Sequence, residues 1–80
     1  MITPEKAQEL AQQKMQEYID ACECDNLEDV GNVLTKMVGM CGVAMCATIG
    51  LREAVDRLEG TAEHLTETQV DIRWNANLVN

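Results

Sequence analysis

This 80-residue sequence contains no serine and no phenylalanine, and it has one histidine, one tyrosine and one tryptophan. Without serine it cannot form a Ser–His pair, and the single His64 makes no convincing Cys–His pair. Acidic residues are plentiful, but they lie on faces expected to be solvated. The glycines of "GMCG" are not followed by Lys and Ser or Thr, as a phosphate-binding loop requires. We therefore expect no catalysis and no cofactor.

The scarcity of aromatic residues limits the core to Leu, Val, Ile, Met, Ala and Cys, which individually bury less area than aromatic side chains do. A chain of this length is near the lower end of what one core stabilises, so we expect a single domain over residues 1–80. Small domains with thin cores usually need disulfides, a metal or oligomerisation. The sequence therefore raises the question of which of the three applies.

Basic residues are also few, six against 14 acids, for a net charge of −8. Six of the acids fall within residues 17–29, which contain no base. Such a field repels phosphate backbones, so direct nucleic-acid binding is not expected. The ordinary interpretation is a solvated face, and the functional one is a contact surface for a basic protein. The candidate partner-binding residues are then Glu17, Asp20, Glu23, Asp25, Glu28 and Asp29.

An apolar leader segment is missing from the polar N-terminus, which favours a cytoplasmic location and reduced thiols. The longest uncharged run, "MVGMCGVAMCATIGL" at residues 37–51, contains 15 residues and three glycines. This is shorter than the about 17–25 residues of a membrane-spanning helix. We therefore expect a covered helix and no membrane contact.

Helical spacing organises most of the chain. Thr3 as N-cap, Pro4 in the first turn and Glu5 predict a first helix over about 4–22. Its apolar stripe is Ala7, Leu10, Ala11, Met15, Tyr18 and Cys22. A capping box of Asp25 and Glu28 predicts a second helix over about 26–49, which is amphipathic at first and apolar on all sides from Met37.

Gly50 predicts the break before a third helix over about 51–66. Its stripe is Leu51, Ala54, Val55, Leu58, Ala62 and Leu65. Residues 67–80 alternate like a strand at 70–74 and also extend a weak heptad, and we expect a partly ordered arm that docks through Trp74. The fold class is all-α: an αα-hairpin of the second and third helices with the first laid across it, in an oligomeric bundle.

Four cysteines raise the possibility of a zinc site. Cys41 and Cys46 are five residues apart, so they point about 140° apart on a helix and do not share a face. Cys22 and Cys24 lie in the turn between helices, where a CxC pattern is poor support for a redox role. Buried cysteine behaves as a small hydrophobic residue, and we expect no metal site.

Gly39 and Gly42 weaken the second helix by about 1 kcal/mol each relative to alanine, so they indicate a close helix approach. The approach lies either between copies of the chain or within it, where the glycines would accommodate the first helix. We expect self-association as a dimer or higher oligomer through this helix and the arm. The candidate interface residues are Met37, Met40, Cys41, Gly42, Met45, Ile49 and Trp74.

Residues 31–65 resemble small helical proteins of unassigned role from tailed-phage genomes. The resemblance lies in an apolar Gly/Ala/Met helix, a glycine break and the sequence Leu-x-Gly-Thr-Ala at residues 58–62. It implies an accessory or host-takeover protein, a class that includes small acidic inhibitors, located in the host cytoplasm. It implies no site residues.

The expected function is thus that of a non-enzymatic interaction protein, an inhibitor or modulator that docks on a basic protein through its acidic residues. The rival is an oligomer with a small-ligand pocket, for a nucleotide for example, between subunits. The residues suited to stacking on a base or binding a phosphate would be Tyr18, Lys14, Lys36, Arg52 and Trp74. A thiol-metal or redox protein is a third possibility, supported by the cysteines alone.

Overall fold

A computed structural model describes residues 1–69. It contains α1 (Pro4–Ala21), α2 (Leu27–Ile49) and α3 (Leu51–Thr68), and these residues form no strand. The prediction of an all-α chain of three helices is confirmed, with every helix end within two residues of its predicted position. The proposed arm with Trp74, and the strand-like alternation at 70–74, lie outside the described residues.

The start of α1 follows its sequence signature. The Oγ1 atom of Thr3 accepts a hydrogen bond from the backbone N–H of Lys6 at 3.2 Å, with Pro4 in the first turn. This satisfies one of the four amides that a helix N-terminus leaves without an intrahelical acceptor. Thr3 is therefore confirmed as the N-cap.

The turn between α1 and α2 is capped differently from the prediction. Asn26 Oδ1 accepts a hydrogen bond from the backbone N–H of Asp29 at 2.9 Å, and Asp29 Oδ2 accepts one from the backbone N–H of Asp25 at 3.1 Å. The predicted box of Asp25 and Glu28 is thus wrong by one residue. The physical chemistry is the same, because an Asx side chain caps the helix and an acid in its first turn reaches back to a preceding amide.

The contacts divide the chain into two compact units, and the boundary falls within α2, between Leu34 and Thr35. In the first unit Ile19 and Val30 are the buried residues, and the Tyr18 hydroxyl donates a hydrogen bond to the Val33 carbonyl at 2.7 Å. These contacts fasten the end of α1 to the start of α2. The single-domain assignment stays a prediction.

The predicted stripe of α1 is only partly covered. Met15 and Tyr18 are half-buried, whereas Ala7, Leu10, Ala11 and Cys22 are exposed, and the buried Ile19 was not in the predicted stripe. The apolar stripe of the first turns of α1 is therefore uncovered within the described residues. Helical spacing places residues on a common face, but a neighbouring element must lie along that face to bury them.

The second unit is the predicted αα-hairpin, made by the later part of α2 and by α3. Gly50 separates the helices with a φ of +89°, a left-handed value that glycine adopts without a steric penalty. Ala54 is fully buried, and Leu58 is half-buried against α2. Glu53 and Arg57, four residues apart on the exposed side of α3, form an ion pair with Oε1 and Nε 2.9 Å apart.

Candidate interaction surfaces

The later part of α2 exposes large apolar side chains. Val38 is 58% exposed, and Met40 and Val43 are 70% exposed. In the most apolar 18-residue window of α2, only 6% is buried. An isolated exposed apolar residue is ordinary in a soluble protein, but a contiguous set marks a site of association.

The glycines show which side of α2 faces α3. A Cβ atom added to Gly42 would lie 3.5 Å from Leu58 Cδ1, whereas one added to Gly39 would have no heavy atom within 4 Å. Gly42 therefore accommodates the third helix, a close approach within the chain. Gly39 makes no close approach within the described chain. Spacing along α2 could not distinguish these roles, because both positions are equally short of side-chain bulk.

At 100° per residue, Met40, Ala44 and Ala47 lie about 140–160° from Gly42 around α2, and Val43 and Lys36 lie about 100–120° from it. We call these five residues the outer face of α2: Lys36, Met40, Val43, Ala44 and Ala47. All five residues are exposed. Lys36 forms no ion pair with any residue in the described part of the chain.

The predicted interface residues fall into three groups. Met37, Met40, Cys41 and Ile49 are exposed, and Gly42 and Met45 are half-buried. Trp74 is outside the described residues. Val43 and Ala47 were not among the predicted residues, although their spacing from Met40 would have identified them. Helical spacing alone does not say which side of α2 is exposed, so these two residues can be chosen only once the position of α3 is known.

The acidic residues of 17–29 divide by whether their side chains already have partners. Glu17 pairs with Lys14 at 3.1 Å, and Asp20 accepts a hydrogen bond from Gln16 at 2.9 Å. Asp29, half-buried, caps the turn. The side chains of Glu23, Asp25 and Glu28 are exposed, and within residues 1–69 they accept no hydrogen bond and form no ion pair. These three carboxylates are the part of the acidic segment that is open to a partner.

Backbone conformation adds a cost at the same turn. Glu23 has a φ of +53°, the left-handed conformation that follows many helix C-termini. Glycine or asparagine is usual there, because a Cβ atom in this conformation is crowded by its own backbone. Glu23, one of the three open carboxylates, therefore occupies a strained backbone position.

The Cys24 thiol of this turn is not activated. Desolvation raises the pKa of Cys24, and the charges of Cys22, Asp29 and Asp25 raise it further. A raised pKa lowers the thiolate fraction and with it the nucleophilicity at neutral pH. Desolvation also raises the pKa of Tyr18, whose phenol lies near Cys22 and Cys24. Within residues 1–69, no three His, Cys, Asp or Glu side chains are placed to hold a metal ion.

Of the residues suited to binding a small ligand, some already have partners within the chain and others line only an open depression. Tyr18 and Lys14 already have the partners given above. On α3, a wide-open depression is lined by Leu51, Arg52, Val55, Asp56 and Glu59. Enclosed apolar walls are what bury a typical ligand, and this depression lacks them.

By length and composition, α2 is able to cross a membrane. It has 23 residues, or about 34 Å at 1.5 Å per residue, and its mean hydropathy reaches 1.4. The helix is longer than the uncharged run at residues 37–51 because it begins at Leu27. The absence of membrane contact, and the cytoplasmic location, stay predictions.

Comparisons with protein families, curated proteins and solved structures found no match to this chain.

Proposed function

We propose that this chain is a non-enzymatic interaction protein that self-associates through the later part of α2. The observation that carries the proposal is the exposure of Met40 and Val43, each 70%, on an apolar helix that is already packed on α3 through its Gly42 side. Two helices that pack through such faces exclude water from both. Complete burial of a Val or Met side chain contributes about 1.5–3 kcal/mol.

The thin core gives independent support. Among the described residues only Ile19, Val30 and Ala54 are buried apolar side chains. A small domain with so little buried area usually gains stability from a staple or from another subunit. Self-association supplies that contribution without a disulfide or a metal.

Analytical ultracentrifugation of the full chain over a wide concentration range tests self-association. We expect a concentration-dependent oligomer that Val43→Glu weakens at least 100-fold, since an unpaired charge buried in the contact costs several kcal/mol. Leu27→Glu is the matched control, because Leu27 is 59% exposed but lies in the first turn of α2. A monomer at all concentrations, or equal effects of the two variants, would contradict the proposal.

We further propose that the open carboxylates of Glu23, Asp25 and Glu28 dock on a basic protein surface, in the manner of a phage-type inhibitor or modulator. Three like charges within six residues attract a basic partner electrostatically and speed its association. Binding of fluorescent polylysine tests this part. We expect the triple variant E23Q/D25N/E28Q to weaken binding, and expect 0.5 M salt to weaken it for the native chain. The control E5Q/E9Q/E53Q removes three acids elsewhere, and an equal effect would show that only net charge matters.

A membrane is the second candidate partner of α2, and the length and composition of the helix favour it. Flotation with vesicles of phosphatidylcholine and phosphatidylglycerol at 3:1 tests it. Flotation that resists high salt and is lost in Val43→Glu would support insertion of α2. A small ligand held between subunits ranks behind both, because Tyr18 and Lys14 are engaged within the chain.

A further inference from the structure

The outer face of α2 has the spacing of a two-helix contact. Lys36, Met40, Val43 and Ala47 are separated by four, three and four residues, which is the alternation of the two inward positions of a heptad. Met40 and Val43 form its centre, and Lys36 and Ala47 form its ends. One end is therefore a positive charge and the other is a small methyl group.

We propose that the outer faces of two copies pair antiparallel, with Lys36 of each copy over the C-terminal end of α2 in the other. This inference rests on the self-association proposed above and adds its orientation. In this register Met40 lies opposite Val43 of the second copy, and Lys36 lies opposite its Ala47. The small Ala47 leaves room for the lysine stem to cross it.

Charge complementarity selects the antiparallel arrangement. The C-terminal end of a helix carries a partial negative charge and carbonyls without intrahelical donors. In α2 no basic residue lies in the last turn. The backbone N–H of Gly50 donates a hydrogen bond to the Cys46 carbonyl at 3.2 Å. Side chains on a helix lean toward its N-terminus, so in an antiparallel pair Lys36 leans toward the last carbonyls of the second copy. Its ammonium, unpaired within residues 1–69, supplies the missing positive charge.

A parallel pair would oppose like charges. It would set the two copies of Lys36 side by side in an apolar contact. The acids in the first turn of α2, Glu28 and Asp29, would also face their own copies. Like charges at adjacent positions destabilise helix pairs.

The same lysine favours a second copy over a bilayer. The uncharged segment after it, residues 37–49, measures about 20 Å at 1.5 Å per residue, against a hydrocarbon thickness of about 30 Å. A bilayer would have to accommodate Lys36 within or near its core. A second copy instead places the partial negative charge at the C-terminal end of its α2 next to Lys36.

Disulfide trapping tests the orientation. In a background with all four native cysteines replaced by alanine, copies carrying Lys36→Cys are mixed with copies carrying Ala47→Cys. In the antiparallel pair residues 36 and 47 of different copies lie opposite each other, while equivalent residues lie about 16 Å apart along the axis. A disulfide needs Cα atoms within about 7 Å, so we expect the mixed 36–47 disulfide. The 47–47 disulfide, which forms between two copies that both retain Lys36, would overturn the orientation and leave self-association standing.

Charge reversal in the otherwise native chain tests the role of Lys36 without cysteine replacement. We expect Lys36→Glu to raise the dissociation constant about 10-fold or more, because two symmetric contacts change sign. Lys6→Glu makes the same change in net charge on α1, where Lys6 pairs with Glu9 at 3.4 Å, and we expect less than a three-fold effect. Equal effects would overturn the contact at the helix end. A native chain that is monomeric in water and floats with the vesicles described above would overturn the second copy as the partner.

Discussion

Gly42 offers the sharpest test of how α2 meets α3. A methyl group added there would lie 3.5 Å from Leu58 Cδ1, which is an ordinary van der Waals distance. Alanine therefore fits without movement of either helix. A leucine would place three more carbon atoms in the space that Leu58 occupies.

Alanine and leucine at position 42 are expected to differ in stability. Gly42→Ala should stabilise the chain by about 0.5–1 kcal/mol, since glycine in a helix interior is that much less favourable than alanine. For a domain of this size 1 kcal/mol corresponds to a shift in Tm of about 4–8 °C. Gly42→Leu should instead be less stable than Gly42→Ala by about 1–3 kcal/mol, the usual cost of overpacking.

Urea denaturation followed by far-UV circular dichroism, at one protein concentration, measures both changes. Gly60→Ala is the matched control, because a Cβ atom at Gly60 has no heavy atom within 4 Å and reports helix propensity alone. We also expect Gly42→Ala to leave the oligomeric state unchanged, because Gly42 lies on the α3 side of α2.

One result would refute this reasoning. If Gly42→Ala lowered the free energy of unfolding while Gly60→Ala raised it, the helices would approach more closely than 3.5 Å allows. Gly42 would then be required for close packing, as its position in the sequence first indicated.

Three further outcomes are expected. Glu23→Gly should raise the free energy of unfolding by about 0.5–1 kcal/mol, measured by urea denaturation, because it relieves the left-handed strain; a loss of stability would contradict that conformation. Tyr18→Phe should cost about 0.5–1.5 kcal/mol in the same assay, since it removes the 2.7 Å bond to Val33, and no change would mean that the bond contributes nothing. Stability should fall at alkaline pH, because the raised pKa values of Cys24 and Tyr18 favour their neutral forms in the folded chain: the contribution is complete below the unfolded-state pKa values and is lost as pH rises through the folded-state ones. In the variant Y18F/C24S, the free energy of unfolding from urea denaturation should fall less between neutral pH and about pH 11 than in the native chain. The same fall in both proteins would contradict this.

The sequence by itself determined the helices and their ends. Thr3 and Pro4 start α1, and Gly50 separates α2 from α3, because capping and left-handed φ values depend on a few neighbouring residues. The cap of α2 was predicted one residue early, since Asp25 and Asn26 are both suitable caps and local chemistry does not choose between them. The candidate acidic residues were also identifiable from the sequence, but not which of them already have partners.

Tertiary structure decided which faces are covered. It buries Ile19 and leaves Leu10 exposed on the same helix, and it places Gly42 against Leu58 while Gly39 has open space. It thereby shows that the exposed Met40 and Val43 lie off the side of α2 that packs on α3. Periodicity fixes which residues share a side of a helix, because that depends on 100° per residue along one element. Which side is buried depends on where a neighbouring helix lies, and that is set by contacts between residues far apart in the sequence.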